Sequence, residues 1–304
     1  MKHGVLPGLF LLAILCALPF GVDAYWLRLG TTMLMYGVLA MSWNFIGGMA
    51  GYPSFASAAF FGLGAYAGAV AQKFGLSMFL AWGLAGAVAA LFAAALGFAL
   101  LRLRGYYFAI ASLVVAEVLR EIVNSATDLT GGGMGLNLPV PQMASIAGQA
   151  RFFYYAMLGV AVLAFSAVFA TQRSRLGFGL RCIRQNESAA DMLGVNATLY
   201  KVIAFILSGV FVGIAGALYA SWVHYIEPPD VFDVLYSVKA IVMVLLGGAG
   251  TLFGPLIGAA LFLSLEELVW RNYISVHTGM LGLLIVLLVL FLPKGVLALR
   301  SGKA

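Results

Sequence analysis

Residues 80–100 read LAWGLAGAVAALFAAALGFAL, an apolar run that contains no Asp, Glu, Lys or Arg. At about 1.5 Å per residue, such a run makes a helix about as long as the hydrocarbon core of a bilayer is thick. It is also rich in Gly and Ala, which let helix backbones approach one another where lipid offers no hydrophobic drive for association. A helix bundle in a membrane is therefore the reading to extend outward.

The rest of the chain agrees. Of its 304 residues, 63% are hydrophobic and only 9% are charged, against about 25% charged in a soluble domain. Scanning both ways from residue 80 marks about ten spans: 5–20, 28–46, 53–71, 76–101, 106–123, 152–170, 200–224, 234–247, 254–269 and 277–292. The fold class expected is all-α, a polytopic membrane bundle forming one transmembrane domain over 1–304. Two spans admit alternatives. The first resembles a secretory signal ending at Val22-Asp23-Ala24, or is retained as a helix. The stretch Ser237–Leu246 is short and runs into GGAGTLFGP, which fits either a full crossing or a re-entrant half-helix.

Basic residues orient the bundle. With both termini inside, the cytoplasmic side holds Lys2, Arg102, Arg104, Arg173, Arg175, Arg181, Arg184, Lys201, Lys294, Arg300 and Lys303, eleven of the seventeen Lys and Arg. The positive-inside rule then places the N- and C-termini in the cytoplasm. The net charge of +6 comes without a basic stripe interleaved with aromatics, so it points to membrane orientation and not to nucleic acid.

The longest polar segment on that side is TQRSRLGFGLRCIRQNESAADMLGVNATLYK, spanning about 172–200. Asn186 can cap a short helix opened by Glu187 and closed at Gly194. From the residues alone this is a surface connector or a docking helix. Elsewhere, TGGGMGL at 130–136 packs four glycines into seven residues, a pattern that makes either a flexible turn or a loop able to wrap a carboxylate. GGMAGYP at 47–53 and GGAGTLFGP at 247–255 are only weakly alike. Glu117, Arg120 and Glu121 share a helix face near a span end, the place of a surface ion pair. Asp233 with Lys239, and Glu266-Glu267 with Arg271, also fall at helix ends, and His224 and His277 read as interfacial. Cys16, Cys182 and the three histidines have no metal-site spacing. No phosphate-cradling G-x-x-x-x-G-K-[ST] occurs, so no ATP site or other cofactor site is expected in this chain.

Four segments in order resemble the branched-chain amino-acid ABC permease family, in its longer permease type. These are NFIGGMAGYPSFASAAFFGLGAYAGA from Asn44, TGGGMGL from Thr130, the stretch from Leu180 through Ala189-Ala190 and Gly194 to AFILSGVFVGIAGALYA, and VMVLLGGAGTLFGPLIGA from Val242. The AA-xxx-G spacing also resembles the motif by which importer permeases dock in ATPase clefts. Family members usually read SLGHAAF where this chain has Ser54-Phe55-Ala56-Ser57-Ala58-Ala59-Phe60, so Ser57 replaces a histidine.

The resemblance implies a non-catalytic permease subunit of a bacterial inner-membrane ABC importer. Its partners would be a second homologous permease, two cytoplasmic ATPases that use the ATP, an extracytoplasmic solute-binding protein, and lipid. The cargo implied is branched-chain or related amino acids, with urea, amides or aromatic acids as alternatives, and a stand-alone secondary transporter as the rival class. The implied docking residues are Arg181, Arg184, Glu187, Ala189, Ala190 and Gly194. The candidate path or gate residues are Asn44, Ser54, Ser57, Thr130, Gly131, Gly132, Gly247, Gly248 and Gly250.

Overall fold

The computed structural model describes residues 15–139 and 145–272, with isolated positions beyond. Most of the expected span 5–20, and the span 277–292 with His277, therefore lie outside the described residues. Long helices follow one another: α1 (Ala24–Trp43, prolonged by a π-helical turn Asn44–Met49), α2 (Ser57–Lys73), α3 (Met78–Leu100) and α4 (Tyr106–Ser125). After the short α5 (Thr127–Thr130) come α6 (Ile146–Arg173), α7 (Arg175–Gln185), α8 (Glu187–Met192) and α9 (Ala197–Val223). The series closes with α10 (Pro228–Val231), α11 (Leu235–Gly247) and α12 (Gly254–Asn272). Among the described residues the fold is all-helical apart from a two-residue antiparallel ladder, β1 (Leu136–Asn137) with β2 (Tyr225–Ile226). Among the described residues four helical segments, Ala24–Met49, Met78–Leu100, Ala147–Arg173 and Ala197–Val223, are long and apolar enough to cross a membrane.

The centre of the bundle is α9, which packs most extensively on α3 and α2. Small residues make this possible. A Cβ built on Gly64 would lie 2.1 Å from the Gly213 carbonyl oxygen, and one on Gly213 would lie 2.5 Å from the Ala89 Cβ. The backbones are thus in direct contact, which is how helices associate strongly in lipid.

Contacts between helix ends show that the long helices alternate in direction. One end of the bundle, the basic end, gathers Arg104, Arg184 and Lys201 around Glu187 and Gly48. At the opposite end Lys73 reaches the Leu129 carbonyl, Leu138 N–H donates to His224 O, and Gln149 meets His224.

Two helices are entered through non-helical backbone, and one of them starts later than the apolar pattern suggests. The expected span 53–71 begins only at Ser57; Gly51 has φ +78° and the chain runs extended past Pro53. Buried backbone of this kind must be satisfied from within the protein, and it is. Ser112 accepts from Phe55 N–H at 2.9 Å, Ser237 donates to Phe55 O at 2.6 Å and accepts from Ala58 N–H at 2.9 Å, and Trp43 donates to Ser54 O at 2.7 Å. The other, α11, has 13 residues, about 20 Å and short of a full crossing. The chain reaches it past Phe232, which is buried against Gly62 and Tyr66 of α2.

Replacing Gly64 by leucine should force α2 away from α9 at an estimated cost of about 1–3 kcal/mol. Gly83→Leu, where nothing lies within 4 Å of the new Cβ, should be tolerated. Thermal unfolding in detergent is expected to shift down by several degrees for the first and hardly at all for the second; equal melting temperatures would show that the close approach is not a stabilising constraint.

Candidate functional site at the basic end

The polar segment after α6 folds into two short helices because each has its own cap. Ser174 accepts from Gly177 N–H at the start of α7, Asn186 accepts from Ala189 N–H at the start of α8, and Asn196 accepts from Leu199 N–H at the start of α9. Gly194, at φ +83°, is the left-handed residue that ends α8, and Val195 N–H returns to Ala190 O. The expected helix 187–194 is therefore present, with Glu187 at its first position.

Glu187 faces inward. Its carboxylate accepts from Lys201 Nζ at 2.8 Å and from the Tyr52 hydroxyl, and Arg104 lies 3.5 Å away. Lys201 is only 2% exposed. Besides Glu187 it donates to Leu101 O at 2.9 Å and to the Tyr52 hydroxyl at 3.0 Å, and it sits 4.6 Å from the centre of the Tyr52 ring. All three ammonium protons are thus used, the condition for keeping a lysine charged out of water. Burial by itself would raise the Glu187 carboxyl, but bonds from Lys201 and Tyr52 and the charges of Lys201 and Arg104 hold it below its usual range. A carboxylate lowered in the folded state stabilises above its unfolded pKa, and that contribution disappears as pH falls through the lowered value. The anchor is therefore intact at neutral and mildly acidic pH.

Of the residues expected to dock a partner, Ala190 is 1% exposed and packs inward, with Ala189 half-buried. Arg184, implied as a docking residue, is exposed and donates to Gly48 O. Arg181 is exposed and makes a long bond to Gln172 O at 3.4 Å. Much of the exposed surface of the segment is charged or polar, Arg173, Arg175, Gln185, Ser188 and Asp191 among it, but three large apolar side chains join it: Met192 is 83% exposed and Leu193 80%, at the tip of α8, with Phe178 on α7. Sequence reasoning passed over these three, although an apolar Met-Leu pair closing a short helix in a polar loop was there to notice. It also passed over Tyr52, Arg104 and Lys201 as members of one cluster.

Several candidate path residues converge on the same end. Asn44 donates to Thr251 O at 3.0 Å and accepts from Gly250 N–H at 2.8 Å, and Gln172 donates to Gly250 O at 3.1 Å. Gly248 and Gly250 have φ of +120° and +81°, and a Cβ on Gly247 would lie 1.7 Å from Gly254 O. The segments 47–53 and 247–255 thus meet through Asn44. Ser54 and Ser57 are each 2% exposed, Ser54 on the non-helical entry to α2 and Ser57 as the first residue of that helix. Thr130, Gly131 and Gly132 belong elsewhere, at the opposite end. There Thr130 donates to Val123 O at 2.6 Å and accepts from Gly132 N–H, while Gly131, Met134 and Gly135 N–H bond within the loop. These donors are already used, so the loop is a built turn leading into β1.

Lys239 does not pair with Asp233, which instead caps Leu235 N–H at 2.9 Å. It pairs with Glu266 at 2.6 Å and lies 5.2 Å from the Tyr36 ring centre, in a mostly buried cluster where α1, α11 and α12 meet. Among the described residues no cluster of His, Cys, Asp and Glu could hold a metal ion.

Residues 25–292 match the sequence model of the family described as "Branched-chain amino acid transport system / permease component". The chain is 30% identical to the high-affinity branched-chain amino acid transport system permease protein LivM of Salmonella typhimurium, over 97% of this chain and 78% of that one. It is 29% identical to LivM of Escherichia coli over 95% of this chain and 74% of the relative. The E. coli permease LivH is 28% identical over 41% of this chain and 40% of its own length. No solved structure matches the chain.

Removing the Glu187 carboxylate should leave Lys201 charged and unpaired, a loss of about 3–5 kcal/mol for a buried pair broken on one side. Glu187→Ala should lower the melting temperature in detergent far more than Arg181→Ala, and adding Lys201→Met should restore much of the loss. A double variant no more stable than Glu187→Ala would show that the pair does not act as a unit.

Proposed function

Because the chain belongs to the family of branched-chain amino acid transport permease components, we propose that it couples ATP hydrolysis by partner subunits to the passage of branched-chain or related amino acids through a bacterial inner membrane. It is the membrane-spanning permease subunit of an ABC importer. The partners proposed are a second permease, as LivM and LivH are both named as permeases of a high-affinity branched-chain system, two cytoplasmic ATPases and an extracytoplasmic binding protein. About ten crossings, with the basic end and both termini in the cytoplasm, fit the distribution of Lys and Arg. The chain itself binds no ATP or other cofactor in this scheme.

The observation that carries the coupling role is the build of α8: an apolar tip in water, Met192 and Leu193, on a helix whose other face is tied into the bundle by Glu187, Lys201 and Tyr52. Apolar side chains left in water at a fixed point are what a protein partner buries. In the proposed cycle the ATPases grip this tip. Their closure moves α8, which bears on α9 through Lys201, on the extended entry to α2 through Tyr52, and, through Arg184 on α7, on the π-helical turn at Gly48. The broken helices then shift between inward- and outward-open forms. Glu187 and Arg184 are thus transmitting residues, with the docking contact made by the tip.

Met192→Asp with Leu193→Asp changes no buried residue and should leave folding unchanged. Losing two apolar contacts of about 1.5–3 kcal/mol each should weaken ATPase association at least about tenfold and abolish ATPase activity stimulated by loaded binding protein. Retained association and stimulation would remove α8 from the docking surface.

A further inference from the structure

At the end of the bundle opposite the basic end, a cavity of about 360 Å³ lies between three helices, lined by Arg28, Gln149, Ala150, Trp222, Val223 and His224. Arg28 is just over one turn into α1, Gln149 is in the first turn of α6, and His224 caps the end of α9. All three helices are long and apolar enough to cross a membrane, so the cavity sits at their ends, where hydrocarbon gives way to head groups. Aromatic rings mark the same level, as they do at membrane–water interfaces. From His224 they run through Phe153, at 6.1 Å, and Phe152 to Phe79, which is 65% exposed. Tyr25 and Trp26, about half exposed, stand in the first turn of α1.

Arg28 is exposed and has no carboxylate within ion-pair distance among the described residues, and the same holds for Arg151, two residues beyond Gln149. Two uncompensated guanidinium groups thus stand at this end. Among the described residues His224 is the one non-glycine with positive φ, +62°, a region that crowds any Cβ. Its Nε2 meets the Gln149 amide nitrogen at 2.5 Å, while its Nδ1 is buried without a partner. A strained backbone and an orphan ring nitrogen are both unfavourable, and the contact they preserve is the one that turns Gln149. With the Gln149 amide nitrogen donating to His224, its second N–H is left for a ligand. An oriented amide N–H beside an unpaired guanidinium suits an oxyanion, and the oxyanion found at head-group level is the lipid phosphodiester. We propose that this cavity seats the phosphate of an anionic phospholipid, with Arg28 as its counter-charge, Gln149 as a donor and His224 as the residue that positions Gln149. The volume suits a head group and its phosphate, with the acyl chains left to the bilayer. A choline head group would bring its own cation toward Arg28 and Arg151, so phosphatidylglycerol is the expected occupant and phosphatidylcholine is not. The inference goes beyond the permease reading and needs only that α1, α6 and α9 cross a membrane.

In the test, the full chain is purified in detergent, stripped of lipid and titrated with dioctanoyl phosphatidylglycerol, dioctanoyl phosphatidylcholine or glycerol phosphate. Bound ligand is counted by native mass spectrometry. One phosphatidylglycerol should bind at least about tenfold more tightly than phosphatidylcholine. Arg28→Gln should weaken that binding about tenfold, as for loss of one charge-assisted bond. Lys73→Gln, at the same end of the bundle but outside the cavity, should leave it unchanged. Gln149→Leu should weaken it severalfold. His224→Asn keeps a residue that accepts the left-handed backbone but removes the ring that turns Gln149, and should weaken binding as Gln149→Leu does. The two together should bind no worse than Gln149→Leu alone, a non-additivity that a merely structural His224 would not show. Thermal unfolding without lipid checks that each variant is folded, and Gln149→Leu carries the test where Arg28→Gln is not. Equal losses in Arg28→Gln and Lys73→Gln, or no preference for phosphatidylglycerol over phosphatidylcholine, overturn the site. Glycerol phosphate bound as tightly as the lipid overturns the lipid assignment. Additive losses in the double variant overturn the positioning role of His224. None of these measurements involves transport or ATPase activity, so each outcome leaves the permease reading standing.

Discussion

The backbone of α9 touches the backbones of α2 and α3 with almost no side chain between them, and the rest of the architecture follows from that contact. In lipid, apolar burial gives helices little reason to associate, so close packing of Gly and Ala has to hold them. Gly64 against Gly213 and Gly216 against the Phe61 carbonyl leave α9 enclosed along most of its length. Enclosure extends to Lys201, one turn in from its start. A lysine there must be fully bonded, and the bonds come from three elements: Glu187 on α8, the Tyr52 hydroxyl on the extended entry to α2, and the Leu101 carbonyl at the end of α3. The packing in the middle of the bundle thus dictates the electrostatics at its end.

The non-helical segments obey the same accounting of donors and acceptors. Between Gly51 and Ala56 the chain has no helical ladder, and the hydroxyls of Ser112 and Ser237 together with the Trp43 indole take its place. At the basic end the two glycine-rich breaks share one side chain, Asn44, whose amide both donates and accepts across the junction. A Cβ on Gly48 would lie 1.8 Å from the Asn44 Oδ1, so the close fit there needs glycine as well as asparagine. The weakly alike segments 47–53 and 247–255 thus meet at one junction.

Much of this was legible beforehand. The apolar runs marked the helices because length and composition are local properties, and Asn186, Glu187 and Gly194 announced α8 through capping chemistry. The direction in which Glu187 points was not legible, since its partner Lys201 is fourteen residues away on another helix and Tyr52 is farther still. The start of α2 was misplaced by a few residues because Pro53 and Gly51 compete with an apolar run that otherwise reads as helix. The partner of Lys239 was not legible for the same kind of reason: Asp233 is near in sequence, but Glu266 is near in space. The loop at Thr130 read on composition as either a flexible turn or a nest for a carboxylate, and only the hydrogen bonds show that the N–H groups of Gly131, Gly132, Met134 and Gly135 are engaged within it.

A chain of contacts from a docking tip to a membrane path is not in itself coupling; what matters is whether each link has one arrangement that motion at one end must disturb. The link between α8 and the bundle meets that condition. A buried ion pair contributes little net stability, because desolvation offsets attraction, but it is severe about geometry: separating the partners leaves an uncompensated charge. An apolar contact at the same place would slide, since burial is nearly indifferent to register. With Lys201 holding Glu187, Tyr52 and Leu101 at once, α8 cannot shift relative to α9 without carrying the entry to α2 and the end of α3 with it. Arg184 adds a second tie, from α7 to the π-helical turn at Gly48. Two ties on adjacent helices resist rotation as well as translation, so in the proposed cycle a push delivered at Met192 and Leu193 would reach the broken helices as movement of a rigid unit, where a single hinge would absorb it.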